Sequence, residues 1–294
     1  MNLPAGLEED LRILLRDEYQ EFLECAYRPA RQSFRINTLK AELDFPFEFS
    51  GERIPWCPAG HYSASQVSDS VEHFQGLVYV QEAASMLPAE ALDPQEGDTV
   101  LDLSAAPGSK STHMAALMGN GGCIVANDVD YARLKSLRFN LNRMGVINTI
   151  LSWDDGASLE PDILFDKVLL DAPCSNAGQL RDNPEALTTW SRKKVKQSSE
   201  LQKRLIIRAA DLLKEGGTLV YSTCTFSPEE NEEVVDHAME ERGLRVEPIR
   251  GKFGRHPGVK YWRGREYARE VVDTARLYPH DNDTGGFYVA KLRK

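Results

Sequence analysis

The sequence has no apolar run that approaches the roughly 20 residues needed to span a bilayer. Glu8, Glu9 and Asp10 stand where a signal peptide would carry positive charge followed by an apolar block. We therefore expect a cytoplasmic protein without a membrane segment. The chain has 294 residues, 41% hydrophobic and 27% charged, which is typical of a soluble globular protein of about two domains.

Cysteine is also scarce. The chain has five cysteines, and their spacing matches no zinc-binding framework. Cys57 and His61 could supply half of a metal site, but no second pair accompanies them. We therefore expect no metal. Only Cys174 and Cys224 have surroundings that a role in the core does not explain.

Positively charged residues are fewer than negatively charged ones, and the formal net charge is −10. This balance argues against broad, nonspecific binding of nucleic acid. One stretch departs from it, since residues 250–269 combine basic and aromatic side chains: Arg250, Lys252, Phe253, Arg255, Lys260, Tyr261, Trp262, Arg263, Arg265, Tyr267 and Arg269. Such side chains can hold phosphates and stack on unpaired bases. The alternative is a solvated loop whose aromatic rings turn inward, and both interpretations stay open.

Alternating strand and helix patterns predict an α/β fold with a parallel sheet. The predicted strands are Thr99–Leu103, Cys123–Asn127, Asn148–Leu151, Phe165–Leu170, Thr218–Tyr221 and an edge strand Gly286–Leu292. Before them, apolar residues at helical spacing between Leu7 and Leu23 predict an amphipathic helix. Residues 44–65 are predicted to be irregular. We divide the chain into a small α+β lobe, residues 1–75, and a larger domain, residues 76–294.

The first strand leads into the segment Asp102–Lys110 and then a helix, the position of the ligand-binding turn in a doubly wound sheet. This turn has one glycine, and its proline removes a backbone amide, so a nicotinamide cofactor is disfavoured. Asp128, Asp155 and Asp171 follow the next three strands. Carboxylates at these ends suit a ligand with ribose hydroxyls, an amino group and positive charge, as in S-adenosylmethionine. Alternatively, they cap the following helices.

Cys174 and Cys224 each follow a short apolar run, in Asp171-Ala-Pro-Cys-Ser175 and Ser222-Thr-Cys-Thr225. If both runs are neighbouring parallel strands, their carboxyl ends direct the two thiols into one pocket. Such a pair suits attack on an electrophilic carbon, because a thiolate can form a covalent intermediate.

These segments together resemble the RsmB/NOP (Sun) family of RNA cytosine-5 methyltransferases. The matching segments are Arg35-Ile-Asn-Thr-Leu-Lys40, Gln81-Glu-Ala-Ala-Ser85, Asp102–Lys110, Asp171-Ala-Pro-Cys174, Ser222-Thr-Cys-Thr225 with Glu229-Glu230-Asn231, and Arg276-Leu-Tyr-Pro279 followed by Gly286-Phe287. They occur in the family's order. Ser104, Ser109 and Asn176 depart from the family pattern, where a cysteine and two glycines are usual. Asn176 is expected to bear on substrate choice more than on chemistry.

The resemblance implies a class I methyltransferase fold: a Rossmann-like, mostly parallel, seven-stranded sheet with helices on both faces, plus an N-terminal lobe that helps hold RNA. It implies a set of residues that bind S-adenosylmethionine or line its pocket: Ser104, Ala105, Ala106, Pro107, Gly108, Ser109, Lys110, Asp128, Asp155 and Asp171.

For the reaction, spacing alone does not decide which thiol attacks. The resemblance implies that Cys224 is the nucleophile and that Cys174 helps to release the product. Asp171 is the expected partner of the cytosine ring's polar edge. The role of Lys110, toward substrate or toward structural carboxylates, stays open.

The compact form resembles the short archaeal members that act on tRNA, and we expect a monomer. Methylation of rRNA or DNA, and an RNA-binding or ribosome-assembly factor with a disused pocket, are alternatives.

Overall fold

A computed structural model of the chain describes residues 3–251 and 253–294. Lys252, in the predicted basic and aromatic stretch, lies outside these described residues. The helices are α1 Ala5–Leu15, α2 Tyr19–Ala26, α3 Val71–Gln75, α4 Leu87–Leu92, α5 Ser109–Leu117, α6 Tyr131–Met144, α7 Arg192–Asp211, α8 Glu232–Arg242 and α9 Pro279–Asn282. The strands are β1 Ser33–Ile36, β2 Ser50–Arg53, β3 Gly60–Ser63, β4 Val78–Val80, β5 Thr99–Asp102, β6 Cys123–Asn127, β7 Thr149–Ser152, β8 Phe165–Asp171, β9 Leu213–Thr223, β10 Arg245–Glu247, β11 His256–Pro257, β12 Tyr261–Trp262, β13 Arg265–Glu266, β14 Ala275–Leu277 and β15 Phe287–Arg293.

The large sheet has nine strands within the described ranges. Its order is β11-β14-β15-β9-β8-β5-β6-β7, and β10 also pairs with β15. Strands β5 to β9 run parallel, whereas β15 is antiparallel to β9, β10 and β14. The topology confirms the predicted α/β class. The prediction of seven strands is wrong, because the chain after α8 adds the short antiparallel strands β10 and β11. The final strand β15 is internal instead of lying at the edge.

The central strands contain buried apolar runs, such as residues 168–170 of β8, because both faces of the sheet are covered there. Val100 and Leu169 belong to a core shared with α4, α5 and α6. Their chain neighbours Leu101 and Leu170 belong to a second core shared with α7 and α8. Successive side chains of a strand point to opposite faces, so the predicted helices on both faces are confirmed.

The strand order places a crevice between β5 and β8. From β5 the chain continues to β6 and β7 on one side, and it returns on the other side as β8 and β9. Ligands of open α/β sheets bind at the carboxyl ends of the strands at such a reversal. The segments that follow β5 and β8 therefore face each other across the site.

The N-terminal lobe contains an antiparallel sheet in the order β2-β3-β1-β4. Residues 44–65 were expected to be irregular, but they contain β2 and β3. The sequence of β2, Ser-Gly-Glu-Arg, lacks an apolar pattern, and this mostly exposed strand is held by pairing with β3. Strand β4 follows residue 75 in the chain and pairs with β1. The boundary at residue 75 stays a prediction.

The predicted N-terminal helix is interrupted. Helices α1 and α2 are separated by a short 3₁₀ turn, and Arg16 has a positive φ of 49°. Apolar residues of both helices pack against the segments after β8 and β9, including Leu180 and Phe226. No described helix has the length and apolarity that crossing a membrane requires.

Candidate active site

A pocket of about 650 Å³ lies at the carboxyl ends of the parallel strands. It brings together residues that the sequence analysis singled out: Ser104, Ala106, Pro107, Ser109, Lys110, Asp128, Asp155, Asp171, Cys174 and Cys224. The turn after β5 forms one wall, and the segments after β8 and β9 form another. This volume is in the range usual for small-molecule sites.

Two residues of the predicted cofactor turn lie behind this wall. Ala105 is buried and donates its amide hydrogen to the carbonyl of Asn127 at 2.7 Å. Gly108 precedes α5 with a φ of +105°, and a Cβ there would come within 2.7 Å of Leu137. Neither residue is among the described residues that line the pocket, and their contact with a cofactor stays a prediction.

The two thiols meet in this pocket. Strands β8 and β9 are parallel neighbours with Asp171 opposite Ser222. The sulfur atoms of Cys174 and Cys224, just beyond these strand ends, lie 3.1 Å apart. The juxtaposition follows from adjacent strands in register, as the apolar run before each cysteine suggested.

A third residue touches both sulfur atoms. The Oδ1 atom of Asn176 lies 3.2 Å from the sulfur of Cys174 and 3.2 Å from that of Cys224. Asn176 has a φ of 64°, in the left-handed region that glycine and asparagine tolerate best. The sequence analysis assigned Asn176 to substrate choice, whereas the structure gives it direct contact with both thiols.

The environment favours the neutral thiol at Cys174. The hydrogen bond with Cys224, together with burial, raises the pKa of Cys174 well above its usual range. A protonated Cys174 can donate to the sulfur of Cys224 at 3.1 Å. This arrangement suits a nucleophile at Cys224 and a proton carrier at Cys174.

Asp171 is held from both sides. Its Oδ2 accepts a hydrogen bond from Lys110 Nζ at 2.7 Å, and its Oδ1 accepts one from the Ser222 hydroxyl at 2.7 Å. Lys110 also donates to the Ser85 hydroxyl at 2.9 Å. Burial alone would lower the pKa of Lys110, but the charge and hydrogen bond of Asp171 outweigh it and raise that pKa. Lys110 thus contacts a carboxylate, one of the two roles left open by the sequence.

A buried carboxylate links the loops that carry the cysteines. Glu230 accepts hydrogen bonds from the Ser175 amide at 2.9 Å, from Gln202 Nε2 at 3.1 Å and from the Thr225 hydroxyl at 3.4 Å. Burial raises the pKa of Glu230. The sequence analysis quoted Glu230 only as part of a family segment and gave it no role.

The other strand-end carboxylates differ in their surroundings. Asp128 is buried and accepts from the amides of Ala106 at 3.1 Å and Asp130 at 3.0 Å, and Arg133 lies 3.5 Å away. It therefore braces the turn as well as lining the pocket. Asp155 is exposed and accepts from the Ala157 amide at 3.0 Å.

Two further carboxyl groups belong to segments singled out in the sequence but had no role assigned to them. Glu82, in the pocket wall, accepts from the amides of Ser85 at 2.9 Å and Gly285 at 3.0 Å, and burial raises its pKa. Asp102, at the end of β5, is buried with one oxygen bonded to Ser111 and the other without a partner among the described residues. Burial raises the pKa of Asp102 to about 7.

The basic and aromatic stretch folds back on the protein. Trp262 and Tyr267 are buried, and β12 and β13 form a small hairpin around Arg263. Arg263 pairs with Asp10 at 2.6 Å, and Arg265 pairs with acidic groups of α8. These contacts favour the inward-turned alternative for this part of the stretch, although Tyr261 is exposed.

The fold and the pocket at the reversal of strand order define a class I methyltransferase. The family model described as 16S rRNA methyltransferase RsmB/F matches residues 89–293, and that of the N-terminal domain of 16S rRNA methyltransferase RsmF matches residues 3–83. The chain belongs to this RsmB/F family, which confirms the predicted RsmB/NOP (Sun) resemblance.

Individual relatives support this family assignment. The chain is 45% identical to a tRNA (cytosine(49)-C(5))-methyltransferase of Pyrococcus abyssi, over 95% of this chain and 93% of that protein. It is 40% identical to ribosomal RNA small subunit methyltransferase F of Erwinia tasmaniensis, over 99% of this chain but only 63% of that longer protein.

Two crystal structures from Pyrococcus horikoshii share the fold. A methyltransferase homolog protein superimposes with a TM-score of 0.83 and 34% identity, covering 99% of this chain and 100% of that one. NSun6 with SFG superimposes with a TM-score of 0.87 and 26% identity, covering 99% and 98%.

Proposed function

We propose that this chain transfers a methyl group from S-adenosylmethionine to carbon 5 of cytosine in tRNA, through a covalent adduct with Cys224. The observation that carries this proposal is the pair of sulfur atoms 3.1 Å apart in the pocket beside the turn after β5. A pocket built only to bind RNA has no need of two adjoining thiols.

The pocket suits S-adenosylmethionine in charge. Among its described lining residues, acidic side chains outnumber basic ones. The basic residues are Lys110 and Arg133, and the acidic residues are Glu82, Asp128, Asp155, Asp171 and Asp182. Such a lining favours a ligand with a sulfonium and an amino group over one with phosphates. The related NSun6 structure contains SFG, an S-adenosylmethionine analogue. When bound, the donor would supply an electrophilic methyl group.

The turn from Ser104 to Lys110, with Asp128 and Asp155, would hold this donor. Lys110 and Ser222 fix both oxygens of Asp171, so its carboxylate is oriented at the pocket wall. In this proposal Asp171 meets the polar edge of the cytosine ring.

The thiols divide the chemistry between them. Carbon 5 of cytosine is a poor nucleophile, so the Cys224 thiolate first forms a bond to carbon 6 and gives carbon 5 enamine character. Carbon 5 would then take the methyl group, and the donor would depart as a neutral thioether. A base next accepts the proton on carbon 5, and the electron pair of that bond expels the Cys224 sulfur from carbon 6, which restores the aromatic ring and the thiolate. Cys174 assists this release. Its raised pKa and its contact with Cys224 support a proton-handling role. None of these steps uses a metal.

The substrate preference follows from the relatives. The Pyrococcus abyssi protein that this chain matches over nearly its full length is named for a tRNA cytosine. Small-subunit rRNA is the alternative, supported by the Erwinia tasmaniensis relative, of which the chain spans 63%. We further propose that residues 1–75 contribute RNA contacts and that the protein acts as a monomer in the cytoplasm.

The decisive experiment follows the covalent adduct. Wild type, Cys224→Ala, Cys174→Ala and the control Cys123→Ala are incubated with the methyl donor and tRNA, then separated on denaturing gels. We expect no methylation with Cys224→Ala, a trapped protein–RNA adduct with Cys174→Ala, and normal turnover with Cys123→Ala, whose thiol lies at the start of β6. Turnover by Cys224→Ala, or adducts with that variant alone, would reverse the assignment.

A parallel assay compares tRNA with small-subunit rRNA fragments and matched DNA. Faster methylation of rRNA than of tRNA would favour the alternative substrate. Methylation of DNA alone would overturn the assignment to RNA.

A further inference from the structure

A second cluster of ionisable side chains lies away from the thiols. Glu18, His256, His280 and Asp281 each offer one possible ligand atom, and these four atoms lie within 4.8 Å of one another. None of the four residues is among the described residues that line the catalytic pocket.

The short contacts in this cluster involve the Nε2 atoms of both histidines. His256 Nε2 lies 3.1 Å from Asp281 Oδ1 and 3.2 Å from Glu18 Oε2, and His280 Nε2 lies 3.0 Å from the same Glu18 oxygen. Tetrahedral zinc with bonds of about 2.0–2.2 Å separates its ligand atoms by roughly 3.3–3.6 Å. These three contacts therefore need to widen by only a few tenths of an ångström, and the remaining ligand atoms lie within 4.8 Å of one another.

Aromatic packing fixes the direction of the two imidazole rings. The ring of Tyr278 meets the ring of His256 edge-on, with ring centroids 5.0 Å apart. It stacks on the ring of His280, with centroids 5.9 Å apart. Phe22 packs against His280 from another side, at 6.1 Å. The fourth ligand is also oriented, because Asp281 accepts from the Tyr278 amide through its other oxygen at 3.0 Å.

We propose that Glu18, His256, His280 and Asp281 form a binding site for a divalent transition metal, with zinc as the best match. Two imidazole nitrogens and two carboxylate oxygens are a ligand set that zinc accepts. The two carboxylates balance the charge of the ion. Binding displaces the protons now shared between the imidazoles and the carboxylates, and these protons pass to water.

The ion would join distant parts of the chain. Glu18 lies in the turn between α1 and α2, His256 forms part of β11, and His280 and Asp281 belong to α9. The role is structural: the metal fastens the N-terminal helices to the segment that precedes β15. Ligand spacing in the sequence predicted no metal, because these four ligands come from three separate segments of the chain.

A second candidate, formed by Cys57, Glu90 and His113, is less suitable. It offers three ligands. The charge of buried Arg35, which has an unpartnered Nη1, acts on His113 and would repel a cation. Arg276 acts on His256 in the same sense, but its charge is paired with Glu232. This cluster provides an internal control.

The test uses untagged full-length protein, stripped with a chelator, mixed with one equivalent of zinc sulfate and passed through a desalting column. Bound metal is measured by mass spectrometry. We expect about one zinc ion per chain and a melting temperature raised by a few degrees. Glu18→Gln and His256→Gln should weaken zinc binding at least roughly tenfold, the loss typical even of outer-shell partners.

Two control variants separate this site from others. His237→Ala removes a histidine outside both clusters, and Cys57→Ser removes a ligand of the second candidate; both should bind zinc as wild type does. Glu18 is half-exposed, so Glu18→Gln is expected to fold normally. Absence of zinc from wild type, equal zinc in Glu18→Gln and wild type, or loss of zinc in Cys57→Ser would each overturn the proposal.

Discussion

The side-chain oxygen of Asn176 lies 3.2 Å from the sulfur of Cys224, and it lies equally close to the sulfur of Cys174. A carbonyl oxygen can only accept a hydrogen bond, so this contact is made by a thiol S–H group and is not available to a thiolate. Asn176 therefore restrains both cysteine side chains before substrate arrives.

Replacing Asn176 tests this restraint. Glycine adopts the φ of 64° freely, and Asn176→Gly removes the acceptor. Because one hydrogen bond is worth about 1 kcal/mol, we expect alkylation of the pocket thiols by iodoacetamide at neutral pH to accelerate roughly fivefold. Asn176→Asp tolerates the same backbone conformation but adds negative charge beside both sulfurs, so it should slow alkylation. Equal rates in both variants would show that the contact has no effect on the thiols.

Removing the Lys110 charge should destabilise the fold. Lys110→Met leaves Asp171, whose carboxylate is mostly buried, without its cationic partner. Breaking such a pair costs about 3 kcal/mol in the free energy of unfolding, which urea denaturation measures. Lys214→Met breaks the more exposed pair with Asp166 and should cost less than about 1 kcal/mol. Similar losses in the two variants would contradict the importance assigned to burial at Lys110.

Asp102 should make stability depend on pH. Burial raises its pKa from 3.8 to about 7, so between these values the folded protein holds a proton that the unfolded chain has released. The stability contributed by this proton is present below about pH 4 and is lost as the pH rises to about 7. Asp102→Asn should therefore gain stability relative to wild type over this range, by at most about 4 kcal/mol at about 1.4 kcal/mol per pKa unit.

Asp166→Asn should change the pH dependence of stability in the opposite direction to Asp102→Asn. Burial opposes ionisation of Asp166, but the hydrogen bonds from Lys214 and the Thr99 amide, together with the charge of Lys214, outweigh burial and lower the pKa of this carboxyl group. Its contribution is present above the unfolded pKa and is lost in acid, so Asp166→Asn should lose stability relative to wild type as the pH rises. Thermal unfolding of Asp102→Asn across about pH 4–8 and of Asp166→Asn across about pH 2–5 checks the two trends.

Gly178 should not accept a side chain. Its amide donates to the carbonyl of Cys224 at 2.9 Å, and its carbonyl accepts from Gly286 at 2.8 Å. A Cβ at Gly178 would lie 2.1 Å from the Gly286 carbonyl oxygen. We expect Gly178→Ala to lower the free energy of unfolding by about 2–3 kcal/mol. At neighbouring Gly285 a Cβ would have ordinary contacts of 3.4 Å or more, so Gly285→Ala should cost under about 1 kcal/mol; equal losses would refute the close-approach argument.

The sequence predicted the central strands because both faces of the sheet are buried. The apolar runs of β5, β8 and β9 indicate that burial directly. Strand β2 was missed because its mostly exposed side chains form no apolar pattern. Only its pairing with β3 makes it a strand. The break at Arg16 was missed because the apolar spacing of α1 continues into α2.

Part of the candidate site could also be predicted from the sequence, and part could not. Cys174, Cys224 and Asp171 could be placed together because each follows a parallel strand, and parallel strands end at one edge. The contacts of Asn176 and Glu230 depend on the conformation of loops, which no periodicity reports. The cluster of Glu18, His256 and His280 joins segments more than 200 positions apart, so only the tertiary fold reveals it.

The closeness of the two sulfurs also governs how the protein has to be handled. A disulfide bond is about 2.05 Å long, and the observed gap of 3.1 Å closes with a small movement of either side chain. Peroxide in aerated buffer would take two electrons from the pair, release two protons and leave a bridge with no free nucleophile. Enzyme purified without a reductant would then look inactive while remaining fully folded, and dithiothreitol would restore it.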